Sequence, residues 1–274
     1  MDLGIAGKVA FVAGGSKGMG RASAELLAQA GCRVGVVARG QADIDETVNV
    51  IRDAGGEAIG FSADLATRDG VKVAVAALEA AFGMPDIVVG QGHDMTLGGF
   101  DDVSDEAYED AFRNFTMSTI YLARATIPTM RARKWGRFIH IGSANGKEPQ
   151  LSHPHIVHNS VRPSTVAFMR VLAQEVAAEG ITVNTVGPGL TITPTLMHYI
   201  TEKMKITPEQ GLDWLAGKDV PGIQGGQGAA DVPMRRAGKA EEIGGVVAFL
   251  ASQYAGYMTG VYIAVDGGRH HYAF

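Results

Sequence analysis

The chain has 274 residues, 46% of them hydrophobic and 19% charged, which is enough apolar material for one large core. A net charge of −5 leaves no basic excess to neutralise the phosphates of a nucleic acid. The single cysteine, Cys32, excludes an internal disulfide and suits a reducing cytoplasm. Residues Met1 to Lys8 lack the basic start and apolar stretch of a secretory signal, and no apolar run reaches the length of a membrane span. A soluble, cytoplasmic protein is expected, with neither nucleic acid nor membrane as partner.

Short β-branched runs alternate with helical patterns. Lys8 to Ala13 reads as a buried strand, Met19 to Ala30 as a helix, and Arg33 to Ala38 as a second strand. A helix after Gln41 leads to a third strand, Glu57 to Ser62. Thr67 is the expected N-cap of a helix that spaces Val71, Val75, Leu78 and Phe82 along one face. Further strands are predicted at Asp86 to Val89, Phe138 to Ile141, Ile181 to Val186 and Val261 to Val265. Helices are predicted from about Pro163 to Ala178 and from Ala240 to Ala251. Such alternation means right-handed crossovers and a doubly wound parallel α/β sheet of the Rossmann type, in one domain spanning 1–274.

Residues 191–231 break the rhythm. They hold Gly217, Gly222, Gly225, Gly226 and Gly228 beside Met197, Tyr199, Met204 and Trp214, and are read as a substrate lid rather than a merely mobile insertion. The Met and aromatic content points to a fairly apolar small-molecule substrate.

Directly after the first strand, Gly14-Gly15-Ser16-Lys17-Gly18-Met19-Gly20 opens a helix. Glycines there allow a tight turn and let the backbone approach a pyrophosphate seated on unpaired helix amides. A purely structural turn is the plainer alternative, but the position between strand and helix favours a dinucleotide. The second strand ends Val37-Ala38-Arg39 without an acid for ribose hydroxyls, and Lys17 adds a second cation, so NADP(H) is expected over NAD(H). The alternative for Arg39 is a solvated surface charge.

With these residues in place, the sequence resembles the short-chain dehydrogenase/reductase family over nearly its whole length. The glycine loop matches the family's Thr-Gly-x-x-x-Gly-x-Gly, with Ala13 for the Thr. Asp64-Leu65 matches the pair that contacts adenine, and Gly90-Gln91-Gly92-His93 stands where the family has Asn-Asn-Ala-Gly. Asn184 to Gly189 matches the stretch after the sixth strand, which brings Pro188 and Gly189 to the cofactor, and Thr193 falls at the nicotinamide-amide contact. Met234-Arg235-Arg236 through Val265-Asp266-Gly267-Gly268 looks like the family's C-terminal third. The resemblance implies an NADP(H)-dependent oxidoreductase that acts on a carbonyl or secondary alcohol and assembles as a homodimer or homotetramer.

The family's catalytic set is only partly kept. Ser143 matches its Ser, whereas His158 and Arg162 stand at the Tyr and Lys positions and Phe115, with Asn114 beside it, at the Asn position. His158 could serve as the acid–base group because imidazole titrates near neutrality. Arg162 could hold ribose hydroxyls and keep His158 neutral, and Ser143 could stabilise charge on the substrate oxygen. Structural roles for each are the alternatives, and Asn114 reads as a surface or packing residue. A metal at His153, His155 and His158 is not expected, since no Cys or acid accompanies them. A catalytically silent NADP(H)-binding subunit, or a non-redox lyase or isomerase on the same fold, remains open.

Overall fold

Five consecutive buried residues, Val9–Ala13, form the first strand (β1), as a strand covered on both faces requires. The computed structural model describes residues 1–92, 96–149, 155–218, 220, 229 and 232–271. Chain order continues with α1 (Gly18–Gln29), β2 (Arg33–Ala38), α2 (Gln41–Asp53), β3 (Glu57–Ser62), α3 (Arg68–Phe82) and β4 (Ile87–Gln91). Then come α4 (Asp105–Phe112), α5 (Ser118–Arg133), β5 (Gly136–Ile141), α6 (Ile156–Val176) and β6 (Ile181–Pro188). The last third holds β7 (Thr191–Ile192), α7 (Pro194–Met204), α8 (Pro208–Leu215), β8 (Gly238–Lys239), α9 (Ala240–Ala251) and β9 (Tyr262–Val265).

Seven strands form one sheet in the order β3-β2-β1-β4-β5-β6-β9, and every pairing is parallel. One face is covered by Leu27, Ile44, Ile51, Ile243 and Leu250 from α1, α2 and α9. The other is covered by Val71, Leu78, Leu122, Met130 and Met169 from α3, α5 and α6. Thr67 caps α3 as expected, accepting from the Gly70 amide at 3.0 Å. Among the described residues, no helix is long and apolar enough to cross a membrane.

Three segments depart from the sequence reading. Helix α6 begins at Ile156, so Pro163 lies inside it instead of starting it. An interior proline costs about 3 kcal/mol. The early turns nevertheless bury Val157 and Val161 against Ala111 and Phe115, and each such side chain returns about 1.5–3 kcal/mol. Between β4 and β5, where the sequence reading gave no element bounds, α4 runs into α5 through a π-helical turn, Arg113–Met117. The supposed lid is largely helical in its first half. Thr193 and Thr207 cap α7 and α8, and β7 pairs with β8 at the base of the insertion. Its residues 219, 221–228 and 230–231, which include Gly222, Gly225, Gly226 and Gly228, lie outside the described residues.

Candidate active site

In this sheet β1 lies between β2 and β4, so the strand order reverses there and opens a crevice at the carboxyl ends of β1 and β4. The glycine loop leaves β1 at that point. Gly14 adopts φ +62°, a left-handed conformation open to glycine, and a Cβ there would lie 2.5 Å from the Gln91 amide nitrogen at the end of β4. A Cβ on Gly20 would lie 2.2 Å from the Gly14 carbonyl oxygen, so α1 packs directly under the loop. Helices α3, α4, α7 and α8 each have a Ser or Thr cap, whereas no side chain caps α1 and no acid lies in its first turn. Its unpaired amides and positive dipole end face the crevice and suit an anion.

The crevice is a cleft of about 520 Å³, within the usual size of a small-molecule site. Gly14, Ser16, Lys17, Gly18, Met19, Arg39, Asp64, Leu65, Arg162 and Thr193 all line it. Four further expected cofactor residues, Gly20, Gly90, Pro188 and Gly189, are not among the lining. Gly20 and Gly189 both permit close packing, since a Cβ on Gly189 would lie 2.7 Å from the Asp266 side chain. Thr193 reaches the glycine loop, with its methyl 3.0 Å from where a Gly18 Cβ would stand.

Asp43, in the first turn of α2, lines the same corner and pairs with Lys17 at 2.8 Å. The cation pair read from the sequence therefore has a carboxylate beside it, and Lys17 is partly neutralised. Among the described residues, Arg39 makes no ion pair.

Ser143 borders a separate recess of about 10 Å³, with Phe115, His140, Arg162 and Thr165. Arg162 and Gly142 line both cavities. The Arg162 guanidinium lies 4.4 Å above the Phe115 ring, and its Nη1 donates to the Gly142 carbonyl at 3.5 Å. Ser143 Oγ accepts from the Asn145 amide at 3.3 Å, while its carbonyl accepts from the Tyr262 hydroxyl at 2.7 Å. The same turn is held from the C-terminal side, where His270 Nε2 meets the Ala144 carbonyl at 3.3 Å and His271 bonds Glu148.

His158 is only 6% exposed and lines neither cavity. Its ring meets Phe115 edge-on and stacks on His155, at 5.8 Å in both cases. His153 lies outside the described residues, as does His93. Thus the structure brings Arg162 to the cleft and Ser143 beside it, and leaves His158 behind the Phe115 ring.

Three contributors were missed. Asn114 lines the cleft and Phe115 points inward, an arrangement set by the π turn. Gln91 lines it too, and its Oε1 is buried without a hydrogen-bond partner among the described residues. His140, on β5 beneath the recess, is fully buried and lies 3.4 Å from the Thr119 hydroxyl. Burial first, and the charge of Arg162 second, hold its pKa down to about 3, so the imidazole is neutral. The Asn-Asn-Ala-Gly mismatch marked Gln91, while nothing in the spacing marked the extra residue of the π turn.

A family model described as short chain dehydrogenase matches residues 8–204, and one described as Enoyl-(Acyl carrier protein) reductase matches residues 215–270. The chain belongs to the short-chain dehydrogenase/reductase family. Among its relatives, the short-chain reductase protein NovJ of Streptomyces niveus is 33% identical over 95% of this chain and 93% of its own. Nodulation protein G of Azospirillum brasilense is 31% identical over 96% and 98%. L-sorbose reductase of Gluconobacter frateurii, solved with NADPH and L-sorbose, superposes with a TM-score of 0.89 at 30% identity, covering 99% of this chain and 100% of that one. The fold of this short-chain dehydrogenase/reductase is therefore shared with its solved relatives.

Proposed function

We propose that the protein is an NADP(H)-dependent oxidoreductase that interconverts a carbonyl and a secondary alcohol on a small molecule. The observation that carries this reading is one cleft joining the uncapped α1, Arg39 and Arg162. The α1 amides would hold the pyrophosphate, Arg39 the 2′-phosphate, and Asp64 with Leu65 the adenine end. The buried Gln91 Oε1 offers an acceptor beside the glycine loop. When bound, the cofactor supplies or takes the hydride.

The chain's own residues then orient the substrate and handle the proton. Arg162 faces both cavities and supplies fixed positive charge where ribose hydroxyls and substrate meet. Ser143 donates to the substrate oxygen and stabilises its developing charge. We assign the acid–base role of the atypical set to His158, a role that requires its imidazole to move out from behind the Phe115 ring into the recess beside Ser143. Relatives whose names describe reductases support the carbonyl direction. The apolar substrate expected from the insertion loses its basis, because Met197, Tyr199, Met204 and Trp214 pack around Ile200 and Leu215 and none lines the cleft.

The placement of His158 favours one second reading, a catalytically silent NADP(H)-binding protein. NADPH fluorescence titration with NADH as control, followed by stopped-flow oxidation against a ketone panel, separates the two. Binding with hydride loss, abolished in Ser143→Ala, is the expected result. Tight binding without turnover on any ketone selects the silent protein, and unchanged turnover in Ser143→Ala removes Ser143 from the mechanism.

A further inference from the structure

A second hollow, of about 420 Å³, lies between α3 and α5. It shares no lining residue with the cofactor cleft. Its walls are apolar, built from Val71, Val75, Met84, Tyr121 and Ala125. Three cations, Arg68, Lys72 and Arg124, surround it against one carboxylate, Glu79.

Ion pairing does not account for those cations. Lys17, Arg21, Arg113, Arg131, Arg133, Lys218 and Arg236 all pair with acids. Among the described residues, none of Arg68, Lys72 and Arg124 does. Arg68 is the first residue of α3, where the helix dipole disfavours a cation. Lys72 follows it at i+4, a spacing at which like charges repel. The Arg68 guanidinium also lies 5.5 Å over the Tyr121 ring, which joins the two helices across the hollow. The hollow thus sets three cations against one carboxylate around apolar walls, in a chain whose net charge is −5. The volume falls in the range of small-molecule sites.

We propose that this groove binds a small amphiphile with one anionic head group, its head among Arg68, Lys72 and Arg124 and its apolar body against Val71, Val75 and Tyr121. Charge complementarity selects the anion, and the apolar walls select the body.

Isothermal titration of the full-length protein, saturated with NADPH, tests this with decanoate as the probe. Decanol and acetate serve as controls that lack the head charge and the body. The expected result is saturable binding of one decanoate per chain, with much weaker binding of either control. Arg124→Glu should weaken decanoate binding roughly tenfold, and Ala76→Trp, which fills the hollow from an exposed helix position, should abolish it. Both variants should retain the wild-type circular dichroism and NADPH affinity. Absent saturable binding, or binding unchanged in both variants, overturns the proposal. So does sedimentation showing that the two variants dissociate an oligomer that takes up no decanoate, since a second copy would then cover the groove.

Discussion

Gly20→Ala isolates the close approach on which the cofactor site depends. An alanine in a helix interior is ordinarily worth about 1 kcal/mol over glycine. At position 20 the added Cβ would stand 2.2 Å from the Gly14 carbonyl oxygen and 2.8 Å from its carbon. Both atoms are backbone, so no side chain can swing aside, and the loop must lift by roughly 1 Å at an overpacking cost of about 1–3 kcal/mol. The propensity gain is cancelled or exceeded. The lifted loop also misaims the α1 amides, and losing one charge-assisted hydrogen bond costs about 1.5–3 kcal/mol, or roughly ten- to hundredfold in Kd. Gly245 in α9 is the control, because a Cβ there meets nothing within 4 Å. Gly245→Ala should raise Tm by about 2–4 °C and leave NADPH binding alone. Fluorescence titration and thermal unfolding of both variants provide the readout. Wild-type NADPH affinity in Gly20→Ala would refute the reasoning.

Other outcomes follow from single contacts. Arg39→Glu should weaken NADPH roughly ten- to hundredfold relative to NADH, whereas Lys17→Ala should do less because Asp43 already holds that charge; paired titrations measure both. Thr67→Ala removes the cap from Gly70 and should cost about 1 kcal/mol in chemical denaturation. His140 gives an acid limb. Above its ordinary pKa of 6.5 it is neutral whether the chain is folded or unfolded, but as pH falls toward 3 only the unfolded chain takes the proton. Stability should therefore drop with falling pH in that window by up to about 1.4 kcal/mol per unit. His140→Asn should flatten the slope by one proton in urea melts, and an unchanged slope would exclude His140 as the cause.

The parts of the fold set by short-range pattern were legible. Strands β2 and β3 and helix α9 have the predicted bounds, because β-branched runs and a helical apolar face fix them locally. Of the ten predicted residues lining the cleft, Gly14, Ser16, Lys17, Gly18, Met19 and Arg39 were legible from the glycine loop between strand and helix and from the end of the second strand, whereas Asp64, Leu65, Arg162 and Thr193 came from the family resemblance. What escaped depends on tertiary contact. Pro163 looks like a helix start until Val157 and Val161 find Phe115. The π turn has no periodic signature, yet it decides that Asn114 faces the cleft and Phe115 the interior. Lys17 and Asp43 lie in separate elements, and only the docking of α2 against the loop makes them a pair.

The turn carrying Ser143 is held by Tyr262, His270 and His271, partners separated in sequence by 119 to 126 positions. Those partners stand on or just after the outermost strand, which docks only on β6. The lower half of the pocket thus has a late clasp. During synthesis the glycine loop can fold onto β1 and β2 well before residue 262 exists. A chain interrupted between α9 and β9 would keep every residue of the glycine loop and lose all three partners that hold the Ser143 turn.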